Sequence, residues 1–137
     1  MPPEWRRGRS VVSVLHAHLV FMPKYRRGVF DKGLLRACEQ AMRTVCEDFG
    51  VELVEFNGED DHVHLLIEYP PTVQLSRLVN SLKGVSARIL RRDHYQKVRK
   101  YLWGGHFWSP SYFVGSVGGA TLEVLRQYIE DQFAPTS

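Results

Sequence analysis

The stretch DHVHLLIEYPP at residues 61–71 sets two histidines, His62 and His64, one residue apart in what otherwise reads as a buried strand. Side chains alternate between faces along a strand, so both imidazoles leave from the same side. Their Cα atoms then lie roughly 6.6 Å apart at ~3.3 Å rise per residue. Neutral imidazoles at that separation can share one metal ion. They can equally be polar residues on a hydrated sheet face, and spacing alone does not separate the two readings. A second pair, His16 and His18, stands in VVSVLHAHLVF at 11–21.

The chain that must position these residues has 137 residues, 44% hydrophobic and 24% charged, which suits one domain with its own core. We therefore read residues 1–137 as a single domain, with 1–10 (MPPEWRRGRS) as a flexible tail. Cys38 and Cys46 fall on one helix, roughly 12 Å apart along its axis at 1.5 Å per residue, too far for a bridge within that helix. Reduced thiols fit a cytosolic protein. No apolar run reaches membrane-spanning length, and the first ten residues lack the apolar stretch of a signal peptide, so the expected location is the cytoplasm, with no membrane partner.

The net charge of +3 is unevenly spread. Thr44 to Ser76 holds eight acidic residues and no Lys or Arg, whereas Lys83 to Lys100 holds seven basic residues and only Asp93 as an acid. RRGR at 6–9 and KYRR at 24–27 add two further basic clusters. Basic surface beside an acidic region suits a polyanion held near a cation site, although charge runs are often only solvated faces.

Elements follow from periodicity. Residues 11–21 alternate and are β-branched, hence a strand. Asp31 can cap a helix with Leu34, Leu35, Cys38, Met42, Val45 and Phe49 on one face, ended by Gly50. VELVEF (51–56) is a strand, NGEDD a turn and HVHLLIEY the returning strand. Thr72 is the expected cap of a second helix carrying Leu75, Leu78, Val79, Leu82, Val85 and Ile89. A basic loop leads to FWSPSYFVGSV (107–117), strand-like but interrupted by Pro110, and 120–133 is an amphipathic terminal helix.

The order β-α-β-β-α-β matches the ferredoxin-like, RRM-like pattern: an α+β domain whose antiparallel sheet carries both helices on one face. The first and third strands are central neighbours there. Val63, Leu65 and Ile67 then face the helices, as do Leu15, Ala17, Leu19 and Phe21. His16, His18, His62, His64 and Glu68 share the other face. Four histidines in the middle of a sheet call for a partner, and a metal or a phosphate would serve. The terminal helix is the one element left to cover that face. On it Tyr128 and Gln132 are one turn apart, a phenol and an amide oxygen that could join such a site, beside an apolar stripe of Leu122, Leu125, Ile129 and Phe133. A packing aromatic and a solvated glutamine are the ordinary alternatives.

With these residues in place, the sequence resembles the single-tyrosine HUH transposases, the TnpA family of small insertion sequences that move as single-stranded DNA. The resemblance runs through HLVFMPKYRRGVF (18–30), DHVHLLIEYPP (61–71), SLKGVSARIL (81–90), FWSPSYFVGSVGG (107–119) and YIEDQ (128–132). It implies His62, His64 and Gln132 as ligands of a divalent metal, Mg²⁺ or Mn²⁺, and Tyr128 as the nucleophile. It also implies imperfect DNA hairpins at element ends as substrates, and a homodimer whose terminal helices can complete each other's sites. The HAH of residues 16–18 departs from the family, with Ala17 where a bulky apolar residue is expected. His16 and His18 are read as supporting the ligands or facing DNA. Lys24, Arg26, Arg27, Lys83 and Arg88 are the expected DNA contacts.

The implied reaction is metal-assisted attack of Tyr128 on a scissile phosphate, giving a 5′-phosphotyrosine and a free 3′-OH. Other readings are a domesticated relative processing repeated hairpins and a non-catalytic RRM-like module. That module would show aromatics, not histidines, on its open face. A structural zinc site is disfavoured because Cys38 and Cys46 lie far from the histidines.

Overall fold

The computed structural model describes residues 14–25 and 28–116. Strand β1 (Leu15–Pro23) is followed by α1 (Lys32–Asp48), β2 (Glu52–Glu59), β3 (His62–Tyr69), α2 (Leu75–Asp93), a single turn α3 (Tyr95–Val98), a 3₁₀ turn (Arg99–Tyr101) and β4 (Trp108–Ser116). The sheet order is β2-β3-β1-β4 with every neighbouring pair antiparallel. Helices α1 and α2 pack together over one face of this sheet, so the α+β, ferredoxin-like expectation holds. Among the described residues no helix is long and apolar enough to cross a membrane.

Local chemistry explains the first helix at both ends. The Asp31 side chain accepts from the Leu34 backbone N–H at 2.8 Å, satisfying a donor the helix cannot. At the other end Gly50 takes φ +69°, with Gly50 N–H donating to Glu47 C=O at 3.0 Å and Val51 N–H to Cys46 C=O at 2.8 Å. This pair of bonds is a Schellman closure, and the left-handed φ is why a glycine stands there.

Four local expectations change. The turn between β2 and β3 is only Asp60–Asp61, because Asn57, Gly58 and Glu59 continue the strand. Gly58 lies under α1, where an added Cβ would meet the Leu35 side chain. The α2 cap is Gln74, without a side-chain cap bond, since Thr72 sits in the turn closed by Val73 N–H to Pro70 C=O at 3.1 Å. Strand β4 runs through Pro110, as an edge strand can, and among the described residues one of its sides has no partner strand. The basic loop is partly ordered as α3 and the 3₁₀ turn.

The core lies between helices and sheet, where Leu19, Phe21, Val63, Leu65 and Ile67 meet Leu34, Cys38, Met42, Leu78, Leu82 and Leu90. Cys38 and Cys46 are free thiols within it. Val63, Leu65 and Ile67 are fully buried. A slip of one residue would put His64, with His62 or Glu68, in their place, so burial of this row dictates the β3 register.

Candidate metal centre and its surroundings

The register that buries Val63 and Leu65 forces His62 and His64 onto the opposite face. Both are buried, and their rings lie 4.6 Å apart between centroids, inclined at 34°. Val20 of β1 and Asn57 of β2 flank His64, and Glu59 lies opposite His62. Val20 and Met22 are also buried. This face is therefore closed around the histidines. Its expected cover, residues 120–133 with Tyr128 and Gln132, lies outside the described residues.

One carboxylate touches the pair directly. His62 Nδ1 is 2.6 Å from Asp61 Oδ1, with both side chains only 11% exposed. An ionised carboxylate only accepts, so Nδ1–H is the donor in this contact. Glu59 stands close as well: one ligand atom each from Glu59, Asp61 and His62 lie within 4.8 Å of one another. Two imidazole nitrogens with nearby carboxylate oxygens suit a borderline-to-hard divalent cation such as Mn²⁺ or Mg²⁺. Asp61 was in plain view in the sequence, immediately before His62, but adjacency on a strand normally sends neighbours to opposite faces. Its placement in the turn is what brings it to the ring.

The second histidine pair divides. His18 is 2% exposed and sits opposite Leu66, diagonal to His64 across the β1–β3 ladder. His16 lies opposite Glu68, about 13 Å farther along β3 than His64 at ~3.3 Å per residue. Its Nε2 is 3.4 Å from Glu68 Oε1, and its side chain is 43% exposed. The structure thus gathers three of the four histidines, not four.

The expected DNA contacts also differ among themselves. Lys24 is exposed, its Nζ 5.3 Å from the Trp103 ring centroid, and Arg88 is exposed on α2. Arg26 and Arg27 lie outside the described residues. Lys83 is engaged inside the fold: Nζ donates to Ser109 C=O at 2.8 Å and lies 5.6 Å from the Tyr112 ring centroid. Burial holds its ammonium below the usual lysine range. A feature not singled out in the sequence is a shallow cleft of about 500 Å³ lined by Gly28, Lys97, Arg99, Lys100 and Tyr101. It adjoins the histidine end of the sheet, because Phe30 N–H donates to Asp60 C=O at 2.9 Å beside it. The basic run had pointed to this region without identifying a cleft.

Comparison with known proteins adds the family. A family model described as "Transposase IS200 like" matches residues 11–132. The ISDra2 transposase TnpA of Deinococcus radiodurans is 33% identical over 132 residues, covering 96% of this chain and 94% of the relative. The transposase for insertion sequence element IS200 of Salmonella typhimurium is 36% identical over 115 residues, covering 84% and 74%. A crystal structure from Deinococcus radiodurans R1, assigned as a transposase, superposes with a TM-score of 0.75 at 34% identity over 93% of this chain and 98% of the other. A REP-associated tyrosine transposase bound to a REP hairpin shares the fold, with a TM-score of 0.56 at 13% identity over 90% of this chain and 67% of that one.

Proposed function

The chain belongs to the IS200-like transposases, and from that premise we propose that it cuts and rejoins single-stranded DNA at hairpin-bearing element ends through a phosphotyrosine on Tyr128. The observation that carries this reading is the pair of buried imidazoles on one sheet face, rings 4.6 Å apart, in a chain of that family. His62 and His64 would hold the divalent cation with Gln132 as a third ligand. When bound, Mg²⁺ or Mn²⁺ supplies charge neutralisation and orientation at the scissile phosphate.

Each residue then has a defined task. The phenol oxygen of Tyr128 attacks phosphorus as its proton is lost. The bond from phosphorus to the 3′ oxygen breaks, and that oxygen leaves as a 3′-OH. The downstream part of the strand remains on the tyrosine through its 5′ oxygen, as a phosphodiester. Attack by another 3′-OH reverses the step and returns the phenol, so joining needs no nucleotide cofactor. A single strand exposes its phosphates to a side chain more readily than a duplex. Lys24, Arg26, Arg27 and Arg88, together with the Lys97–Lys100 cleft, supply cationic surface for the DNA backbone and for a hairpin. Lys83 is already committed to Ser109, so its part is to hold α2 against β4. A homodimer sharing its terminal helices completes the reading.

Tyr128→Phe tests it. Phe retains the ring and loses only the proposed nucleophile, so strand cleavage should disappear while hairpin binding persists. With 3′-labelled single-stranded substrate and a divalent metal, denaturing electrophoresis should show label on the wild-type protein, mapping to the peptide containing Tyr128. Label on another tyrosine, or cleavage without an adduct, overturns the mechanism.

A further inference from the structure

We propose that Asp61 is a positioning residue for His62: its carboxylate holds the Nδ1–H and turns Nε2 toward the cation site. The contact is 2.6 Å between side chains that are each only 11% exposed, so water competes little for it. A hydrogen bond at one ring nitrogen selects the tautomer and fixes the ring plane, which leaves the other nitrogen as ligand. His64, its ring centroid 4.6 Å away, is the neighbouring donor to which that nitrogen must be matched.

The carboxylate is itself held in place. Asp60–Asp61 is a tight turn, and Phe30 N–H donates to the Asp60 C=O at 2.9 Å, pinning the turn from the loop before α1. Gly28 in that loop has φ +63° and comes close enough that a Cβ would lie 4.0 Å from Asp60 Oδ2. Backbone from two parts of the chain thus sets where the Asp61 side chain begins.

The competing assignment makes Asp61 a metal ligand together with Glu59 and His62. Distance argues against sharing an ion between Asp61 Oδ1 and His62 Nδ1. Adjacent octahedral ligands at about 2.1 Å from Mg²⁺ lie roughly 3.0 Å from each other. The 2.6 Å observed is shorter, and falls at the short end of a charge-assisted N–H···O hydrogen bond.

This inference rests on His62 being a ligand, and the experiment separates the two claims. In metal-free, ¹⁵N-histidine-labelled protein, at a pH where the ring is neutral, long-range proton–nitrogen correlation reads which nitrogen of His62 carries the proton. Wild type should show Nδ1–H. Asp61→Ala should move the proton to Nε2 or mix the tautomers. Asp61→Asn, which retains an acceptor oxygen, should stay nearer wild type. Mn²⁺ titration followed by electron paramagnetic resonance should show binding weakened roughly 10- to 100-fold in Asp61→Ala and less in Asp61→Asn. An Nε2–H tautomer in wild type overturns the positioning role without any variant having to fold. An unchanged tautomer in Asp61→Asn, with Mn²⁺ binding lost as fully as in Asp61→Ala, makes Asp61 a ligand and also overturns it. An Asp61-dependent tautomer combined with wild-type Mn²⁺ binding in His62→Ala refutes the ligand reading instead, and removes the premise.

Discussion

Two copies of a histidine-x-histidine pattern lie on adjacent strands and on the same face of one sheet, yet only one is gathered ring against ring beside two carboxylates. His62 and His64 are both buried, ring against ring, beside Asp61 and Glu59. His16 and His18 are split, the first half-exposed against Glu68, the second enclosed. The difference is position along the strands. His62 and His64 lie at the turn end of β3, where a tight turn delivers the Asp61 carboxylate from outside the strand's own alternation, in addition to Glu59 on the facing strand. His16 stands at the opposite end of the ladder, where the nearest acid belongs to the facing strand. A motif of this kind acquires chemistry from where the strand begins as much as from its spacing.

The largest expected effect tests that contrast directly. His62→Ala and His64→Ala should each reduce metal-dependent cleavage by more than about a hundredfold, since each removes a proposed ligand of the cation. Hairpin binding should survive, because affinity is spread over many phosphate contacts. Normal cleavage by His62→Ala in Mg²⁺ would dissolve the distinction between the pairs. Next in size is His18→Ala, which empties a buried position and should cost about 2–4 kcal/mol in denaturant unfolding. Its Mn²⁺ affinity should remain that of wild type. A selective loss of Mn²⁺ binding at unchanged stability would instead bring His18 into the site. His16→Ala is the smallest: an exposed contact to Glu68 is worth roughly 0–1 kcal/mol, and neither cleavage nor Mn²⁺ binding should move.

A parallel contrast exists between the lysines. Removing Lys24, Arg26 and Arg27 should flatten the salt dependence of single-strand binding by roughly 0.7 log units per lost phosphate contact. Lys83→Met should leave that slope unchanged and lower the unfolding midpoint, because its ammonium is bonded to the start of β4. A changed slope for Lys83→Met would return it to the DNA surface.

How much of this was legible beforehand depends on how local each cause is. The β3 register was readable because Val63, Leu65 and Ile67 state it within one strand. Asp31 and Gly50 announced the ends of α1 because caps and left-handed glycines act within a turn. Gly58 misled, since its reason is Leu35, more than twenty residues away in sequence and in contact only after folding. Thr72 misled because two prolines ahead of it claimed the turn. Pro110 could not be judged without knowing that β4 is the edge of the described sheet. The hydrogen bond of Asp61 was invisible for the same reason as Gly58: the turn that aims it is pinned by Phe30. Tyr128 and Gln132, legible through family resemblance, lie outside the described residues.

The two cysteines give α1 a further property. Burial pushes the Cys46 thiol up to about 12, and Cys38 higher still. Thiolate, the form that reacts, is therefore almost absent from the folded helix at neutral pH. Alkylating reagents meet these sulfurs only when α1 leaves the sheet, so their consumption counts openings of the domain rather than surface encounters. The protein carries its own clock for unfolding. A cysteine introduced at an exposed position could accept a fluorophore while the native thiols stayed silent.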